Sequence, residues 1–139
     1  MGDDLRTIKP LAKKANMKFT ISLLLTALLG FAIPLYLPWW SFAITSAIVA
    51  FAIPQKAWVA FITGFAGLFI LWGVFAIIID VNNEHLLSQK IATILPLNGS
   101  YTLLILITAL VGALVSGFAA LTGSFARSIK KSSGDAIAD

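Results

Sequence analysis

The residues best suited to chemistry lie close together after a long apolar stretch: Asp80, Glu84 and His85. A carboxylate buried in a membrane is typical of a proton or cation site, whereas a solvated acid at a helix end needs no such role. Asp80 is followed by Asn82 and Asn83, which favours the solvated alternative. His85 is the only histidine, and one His with one carboxylate gives too few ligands for zinc. We therefore treat the three residues as a candidate polar site and expect no metal, cofactor or catalytic group.

Other chemical motifs are missing from the sequence. The chain contains no cysteine, which excludes disulfide bonds, thiolate metal sites and cysteine nucleophiles. It has no phosphate-binding loop, no Gly-rich nucleotide-binding turn and no pairing of a nucleophile with a base. No aromatic or groove-reading motif accompanies the basic N-terminal stretch, so a nucleic-acid partner is not expected. We expect that the protein is not an enzyme.

The composition indicates an environment of lipid. Hydrophobic residues make up 59% of the 139 residues and charged residues only 12%, against about 25% charged residues in a typical soluble domain. Such a chain cannot cover a water-facing surface with polar side chains. The lipid bilayer is the partner that this composition requires.

Four apolar runs follow one another along the chain: Phe19–Leu37, Ser41–Ile53, Trp58–Ile79 and Tyr101–Ala126. A helix needs about 20 apolar residues to cross a hydrocarbon core of about 30 Å. The second run is short, and we expect it to cross as a hairpin partner shielded by its neighbours or by local thinning of the bilayer. The sequence predicts an all-α integral membrane four-helix bundle.

Aromatic residues of the amphipathic kind flank these runs: Trp39, Trp40, Trp58 and Tyr101. Trp and Tyr side chains prefer the headgroup region of a bilayer. We expect these four residues to anchor the ends of the spans.

The polar connection over residues 80–100 contains apolar residues at helical spacing: Leu87, Ile91 and Ile94. This pattern predicts a short amphipathic helix over Glu84–Leu95, between spans 3 and 4, lying in the membrane interface. Asn82 or Asn83 is a suitable residue to cap its start. Pro96 and the Asn98-Gly99 pair would end it.

The distribution of positive charge predicts the orientation. Nine of the ten Lys and Arg residues lie in three segments that four spans place on one side, and only Lys90 lies on the other. Because Lys and Arg near span ends are retained in the cytoplasm, both termini are expected there. We divide the chain into a basic N-terminal segment (1–18), a four-span domain (19–126) and a polar tail (127–139). The overall character is that of a bacterial inner-membrane protein.

The last run carries small residues at every fourth position: Thr108, Gly112, Ser116, Ala120 and Ser124. This spacing places them on one helix face, where small side chains let two membrane helices approach closely. Gly64 and Gly67 of the third run are expected to form the facing groove. One reading is packing inside a single four-helix bundle, and the other is contact with another subunit.

Two functions from different classes remain open. The first is a structural or interaction subunit that assembles with itself or with a larger membrane complex through small-residue helix faces. The alternative is an oligomeric transporter or channel for small solutes, with a path lined by hydroxyl-bearing or small residues of the last span: Thr108, Ser116, Thr122 and Ser124. The first span has no acid, so it lacks the glutamate of the small multidrug-resistance transporters, and the sequence indicates no family.

Overall fold

The computed structural model describes the backbone of residues 2–137 and the side chains of residues 11–134. Over that backbone the chain is all-helical, which confirms the predicted class. The elements are α1 (Gly2–Ala32), a short 3-10 turn (Ile33–Leu35), α2 (Ser41–Ala52), α3 (Ala57–Asn82), α4 (Leu86–Ile94) and α5 (Tyr101–Ile137). The side chains of Arg6 and Lys9, which contributed to the charge pattern, lie outside the described part.

Three helices are long and apolar enough to cross a membrane, which indicates a membrane protein. They are α1 together with the 3-10 turn over Leu11–Leu35, α3 over its whole length, and α5 over Tyr101–Gly134. α2 is also apolar but has only 12 residues, so its length is about 18 Å. That is less than the roughly 30 Å of a hydrocarbon core.

α1 contains the basic N-terminal segment and the first apolar run in one continuous helix. It ends at Ala32, before the predicted end of the run at Leu37. Pro34 explains the early end, because proline has no N–H to donate to the preceding turn and its ring clashes there. The chain then turns and enters α2. At the opposite end of this hairpin, Lys18 Nζ of α1 donates a hydrogen bond to the carbonyl oxygen of Pro54 at 3.4 Å.

α3 and α5 run antiparallel and pack along their length. Gly64 lies against Ala120, and Gly73 lies against Ala109. α5 was expected to end near Ala126, but it continues to Ile137. The basic residues that follow the apolar run are good helix formers and no proline interrupts them, so the helix extends beyond the apolar span.

α4 is slightly shorter than the predicted helix, and its predicted cap is wrong. His85 occupies the position before the helix with a left-handed backbone, and its side chain makes no capping hydrogen bond. Asn83 ends α3 instead: its side-chain amide donates to the carbonyl oxygen of Ile79 at 3.1 Å. The asparagines therefore belong to the end of α3.

The apolar side chains of α4 point away from the rest of the chain. Leu86 is exposed, and so are the three residues of the predicted apolar face, Leu87, Ile91 and Ile94. Ala92, on another side of this helix, is fully buried. The Asn98-Gly99 pair after the helix has positive φ angles at both residues, 52° and 74°, and forms the predicted turn.

Candidate functional site

The polar residues of the sequence meet where α3 ends, but only two of the three form a pair. His85 Nδ1 lies 2.6 Å from Asp80 Oδ2. The backbone N–H of His85 also donates to the carbonyl oxygen of Asp80 at 3.0 Å. The Glu84 side chain is exposed. A neutral histidine paired in this way carries its proton on Nδ1, which leaves Nε2 as a proton acceptor.

Asp80 is buried, so the expectation of a solvated acid at a helix end is wrong. Its side chain is only 3% exposed, and its second oxygen, Oδ1, is buried without a hydrogen-bond partner. The burial follows from the path of the chain, which reverses at Glu84 and His85 and brings the start of α4 back towards α3. A buried carboxylate is costly without a partner, and His85 supplies one.

The turn that forms this pair is strained. Glu84 and His85 have φ angles of 50° and 60°, a region that residues other than glycine rarely adopt. Such positions cost about 1–3 kcal/mol each and persist where surrounding contacts hold them. The contacts here are the bond to Asp80 and the stacking of His85 on Tyr101, with ring centroids 4.4 Å apart. Within residues 11–134, no group of three His, Asp or Glu side chains is placed to hold a metal.

Replacing Asp80 with alanine is expected to loosen α4, because His85 then loses the bond that holds the strained turn. A hydrogen bond to a charged group contributes about 1.5–3 kcal/mol. Hydrogen exchange of the Leu86–Ile94 amides in detergent measures the effect. Asp80→Asn retains an oxygen that accepts from His85 and should have a smaller effect. Equal exchange rates in Asp80→Ala and the exposed-site control Glu84→Gln would show that the pair does not hold the helix.

The small-residue face of α5 is buried inside the chain. Of the five residues predicted for it, Gly112, Ser116, Ala120 and Ser124 are buried, whereas Thr108 is exposed at the edge of the face. The Thr108 hydroxyl donates to the carbonyl oxygen of Leu104 in its own helix at 2.9 Å. The geometry therefore favours packing within one bundle, the first of the two readings of this face.

Glycines allow the closest approaches between these helices. A Cβ on Gly64 would lie 2.7 Å from the Ala120 Cβ, and one on Gly123 would overlap the carbonyl oxygen of Ala47 in α2. Gly67 was expected to face α5, but it packs on α1. A Cβ on Gly67 would lie 3.3 Å from the carbonyl oxygen of Leu23. The expected groove on α3 is therefore divided between two partner helices.

Three helices meet at a buried pair of serines. The Oγ atoms of Ser46 in α2 and Ser116 in α5 are 2.7 Å apart. Ser116 Oγ donates to the carbonyl oxygen of Gly64 in α3 at 2.8 Å, and Ser46 Oγ is also 2.9 Å from the carbonyl oxygen of Phe42. When Ser116 donates to Gly64, Ser46 is able to donate to Ser116. Both hydroxyls are thus satisfied within the chain, and Ser46 was not singled out by the sequence pattern.

The carboxyl end of α2 is held by side chains from the neighbouring helices. Arg127 Nη1 of α5 donates to the carbonyl oxygens of Phe51 at 2.6 Å and Ala52 at 2.9 Å. The chain then runs through an extended Ile53, and Ser124 Oγ donates to the carbonyl oxygen of Gln55 at 3.4 Å. The last carbonyls of a helix otherwise lack partners. Arg127, predicted only as an orienting charge, therefore caps α2.

The predicted anchors all lie at the ends of helices and retain exposed surface. Trp39 and Trp40 lie in the turn before α2, Trp58 at the start of α3 and Tyr101 at the start of α5. Their exposed fractions are 72%, 49%, 69% and 37%. This is the position that an interfacial role requires, and that role stays a prediction.

An apolar cavity of about 340 Å³ lies beside the turn between α1 and α2. Aromatic side chains from the 31–42 region and from α3 line much of it: Phe31, Trp39, Phe42, Trp72 and Phe75. Phe42 and Trp72 meet edge to face with centroids 5.0 Å apart. No periodic pattern in the sequence indicated this cavity, because its walls come from distant segments.

Comparison with known proteins gives no further assignment: no family model, no curated protein and no solved structure matches this chain.

Proposed function

We propose that the chain is a four-span subunit of a bacterial inner membrane, with both termini in the cytoplasm, and that its role is structural: it assembles with itself or with a larger membrane complex. Support for a structural over a conducting role comes from the interior, where Ser46, Ser116 and Ser124 are bonded within the chain. The small-residue faces hold α2, α3 and α5 together, so a partner would contact other surfaces of the bundle.

The capped end of α2 is the support for a fourth span. Pro54, just beyond α2, is bonded to Lys18, and the last carbonyls of α2 are bonded to Arg127. Both basic residues border the apolar parts of their own helices. Backbone without helical bonds is tolerated at membrane depth only where protein groups satisfy it. α2 and the extended residues after it therefore match the apolar length of α1, and the two cross together.

The hydroxyls of the last span argue for a structural role over a conducting path. Each of the four hydroxyls that would line a path has a partner in this chain. Ser116 and Ser124 donate to carbonyl oxygens of Gly64 and Gln55. Thr108 and Thr122 donate to carbonyl oxygens of their own helix. The single proton of each hydroxyl is therefore engaged within the chain, and none of the four is free to donate to a solute.

Two helical arms offer surface for a partner on the cytoplasmic side. α1 begins at Gly2 and reaches Lys18 after about 24 Å. α5 continues from Arg127 to Ile137 for about 15 Å. Both arms extend beyond the apolar runs Phe19–Leu37 and Tyr101–Ala126, and both carry lysines. A partner at the membrane surface would therefore contact these arms, because the small-residue faces are buried within the chain.

Single cysteines test the topology, since the chain has none of its own. In membrane vesicles of known orientation, an impermeant thiol reagent should label Tyr36→Cys and Asn98→Cys from the outside. It should label Lys56→Cys and Ser132→Cys only from the cytoplasmic side. If α2 does not cross, Lys56→Cys will label from the same side as Tyr36→Cys, and the four-span arrangement fails.

Purification in mild detergent tests the structural role. Light scattering should give a protein mass above that of one chain, or other polypeptides should copurify in fixed ratio. The same preparation in liposomes should leave the flux of small solutes at the level of empty liposomes. A monomer that conducts a solute, with a flux altered by Ser116→Ala but not by the lipid-facing change Leu106→Ile, would overturn the proposal and favour a transporter.

A further inference from the structure

Three lysines surround a groove where α1 passes the start of α3. Lys14 and Lys18 are four residues apart and so lie on one side of α1. Lys56 immediately precedes α3. All three line a single cavity of about 540 Å³ with the Pro54-Gln55 segment. We call this the lysine groove.

None of the described side chains that line the lysine groove is acidic. Among residues 11–134 the only acids are Asp80 and Glu84, which lie at the opposite end of α3. Asp3 and Asp4 precede Lys14 by ten or more residues, about 15 Å along α1. Lys18 Nζ donates one hydrogen bond, to Pro54, and an ammonium group has three donors. Among the described side chains, positive charge and free donors therefore converge without an acidic group to neutralise them.

The backbone adds to the same polarity. α3 begins after Lys56, and no side chain caps its first turn. The first N–H groups of a helix lack partners in the helix and carry the positive end of its dipole. These amides lie beside the lysine groove, since Val59 of the first turn is one of its lining residues.

Apolar side chains form the rest of the groove, which identifies the kind of anion. Leu11, Ala15 and Val59 line it together with the lysines. Trp58, next to Val59, is 69% exposed, as expected of a residue at headgroup level. A free phosphate ion makes no favourable contact with apolar side chains. A phospholipid, in contrast, carries a phosphate joined to acyl chains that pack against them.

We propose that the lysine groove is a binding site for one anionic phospholipid, with the phosphate held by Lys14, Lys18 and Lys56. The acyl chains lie along the apolar wall. The interaction is local, and it differs from the general attraction of basic segments to an anionic membrane surface.

The test compares two variants that remove the same charge. The groove variant carries Lys14→Gln, Lys18→Gln and Lys56→Gln, and the control carries Lys13→Gln, Lys130→Gln and Lys131→Gln. Native mass spectrometry of the full chain measures how much phosphatidylglycerol and phosphatidylcholine each protein retains. The wild type and the control should retain phosphatidylglycerol in preference. The groove variant should lose that preference by about tenfold or more.

Three results would overturn the site. Equal loss in both triple variants would mean diffuse electrostatic attraction. Displacement of the lipid by inorganic phosphate would mean a site for a soluble anion. Equal retention of the two lipids by the wild type would mean no selectivity. If the groove variant does not fold, the double variant Lys14→Gln, Lys56→Gln replaces it. This variant keeps the Lys18 bond to Pro54 and changes only exposed side chains. If the double variant retains phosphatidylglycerol as the wild type does, the site is again overturned.

Discussion

Gly123→Ala is expected to separate α2 from α5 and to lower the stability of the detergent-solubilised protein more than other single methyl additions in the spans. A Cβ at this position would overlap the carbonyl oxygen of Ala47 and lie 2.8 Å from its carbonyl carbon. Both atoms belong to the backbone of α2, so no side-chain rotation relieves the overlap. Overpacking costs about 1–3 kcal/mol and occasionally more, and we expect at least the upper part of that range. Thermal unfolding followed by circular dichroism measures the loss.

Gly73→Ala is the matched control. It adds the same methyl group to a membrane-length helix, but the nearest atom is the Ala109 Cβ at 3.8 Å, an ordinary contact. Alanine also has the higher helix propensity, by about 1 kcal/mol in water. We expect an unchanged or slightly raised unfolding temperature. If Gly123→Ala unfolds at the same temperature as Gly73→Ala, α2 is not seated on α5 at this point.

Gly112→Ile should destabilise the centre of the α3–α5 contact. A Cβ on Gly112 would lie 2.8 Å from two ring atoms of Trp72, and isoleucine adds three further carbons. The indole is also packed against Phe42, so its movement disturbs α2 as well. We expect a loss of about 1–3 kcal/mol in thermal or denaturant unfolding in detergent.

Two comparisons isolate the clash at Gly112. Leu110→Ile changes a side chain that is 42% exposed on the same helix and should have little effect. Trp72→Leu should partly rescue Gly112→Ile, giving a coupling energy of about 1 kcal/mol or more in a double-mutant cycle. If the two changes add without coupling, the indole is not what limits space at Gly112.

The small-residue pattern of the last span shows how much of the packing local sequence can predict. A four-residue period identifies a helix face, and Gly112, Ser116 and Ala120 are buried on that face. The period does not identify the partner helix. Gly67 of α3 was expected to face α5 but packs on α1, because a glycine allows any helix to approach closely.

Asp80 and Arg127 show where local rules are insufficient. The burial of Asp80 depends on the left-handed conformation of Glu84 and His85, which neither residue type signals. The bond from Arg127 to Phe51 joins residues 76 positions apart and requires α2 and α5 to lie side by side. The start of α1 at Gly2 and the end of α5 at Ile137 lie beyond the apolar runs, where helix propensity continues the helix and hydrophobicity does not report it.

The contacts of α2 also bear on biogenesis in the proposed four-span arrangement. α2 leaves the ribosome before α5. Its Ser46 nevertheless pairs with Ser116, 70 positions later, and its last carbonyl oxygens have no partner until Arg127 has been synthesised. A helix of 12 residues is too short to cross the hydrocarbon core without support from other helices. The nascent chain therefore passes through a stage in which its second helix is inserted without its partners or held outside the bilayer by the insertion machinery. In that arrangement, the packing of α2 is completed only after α5 has been synthesised.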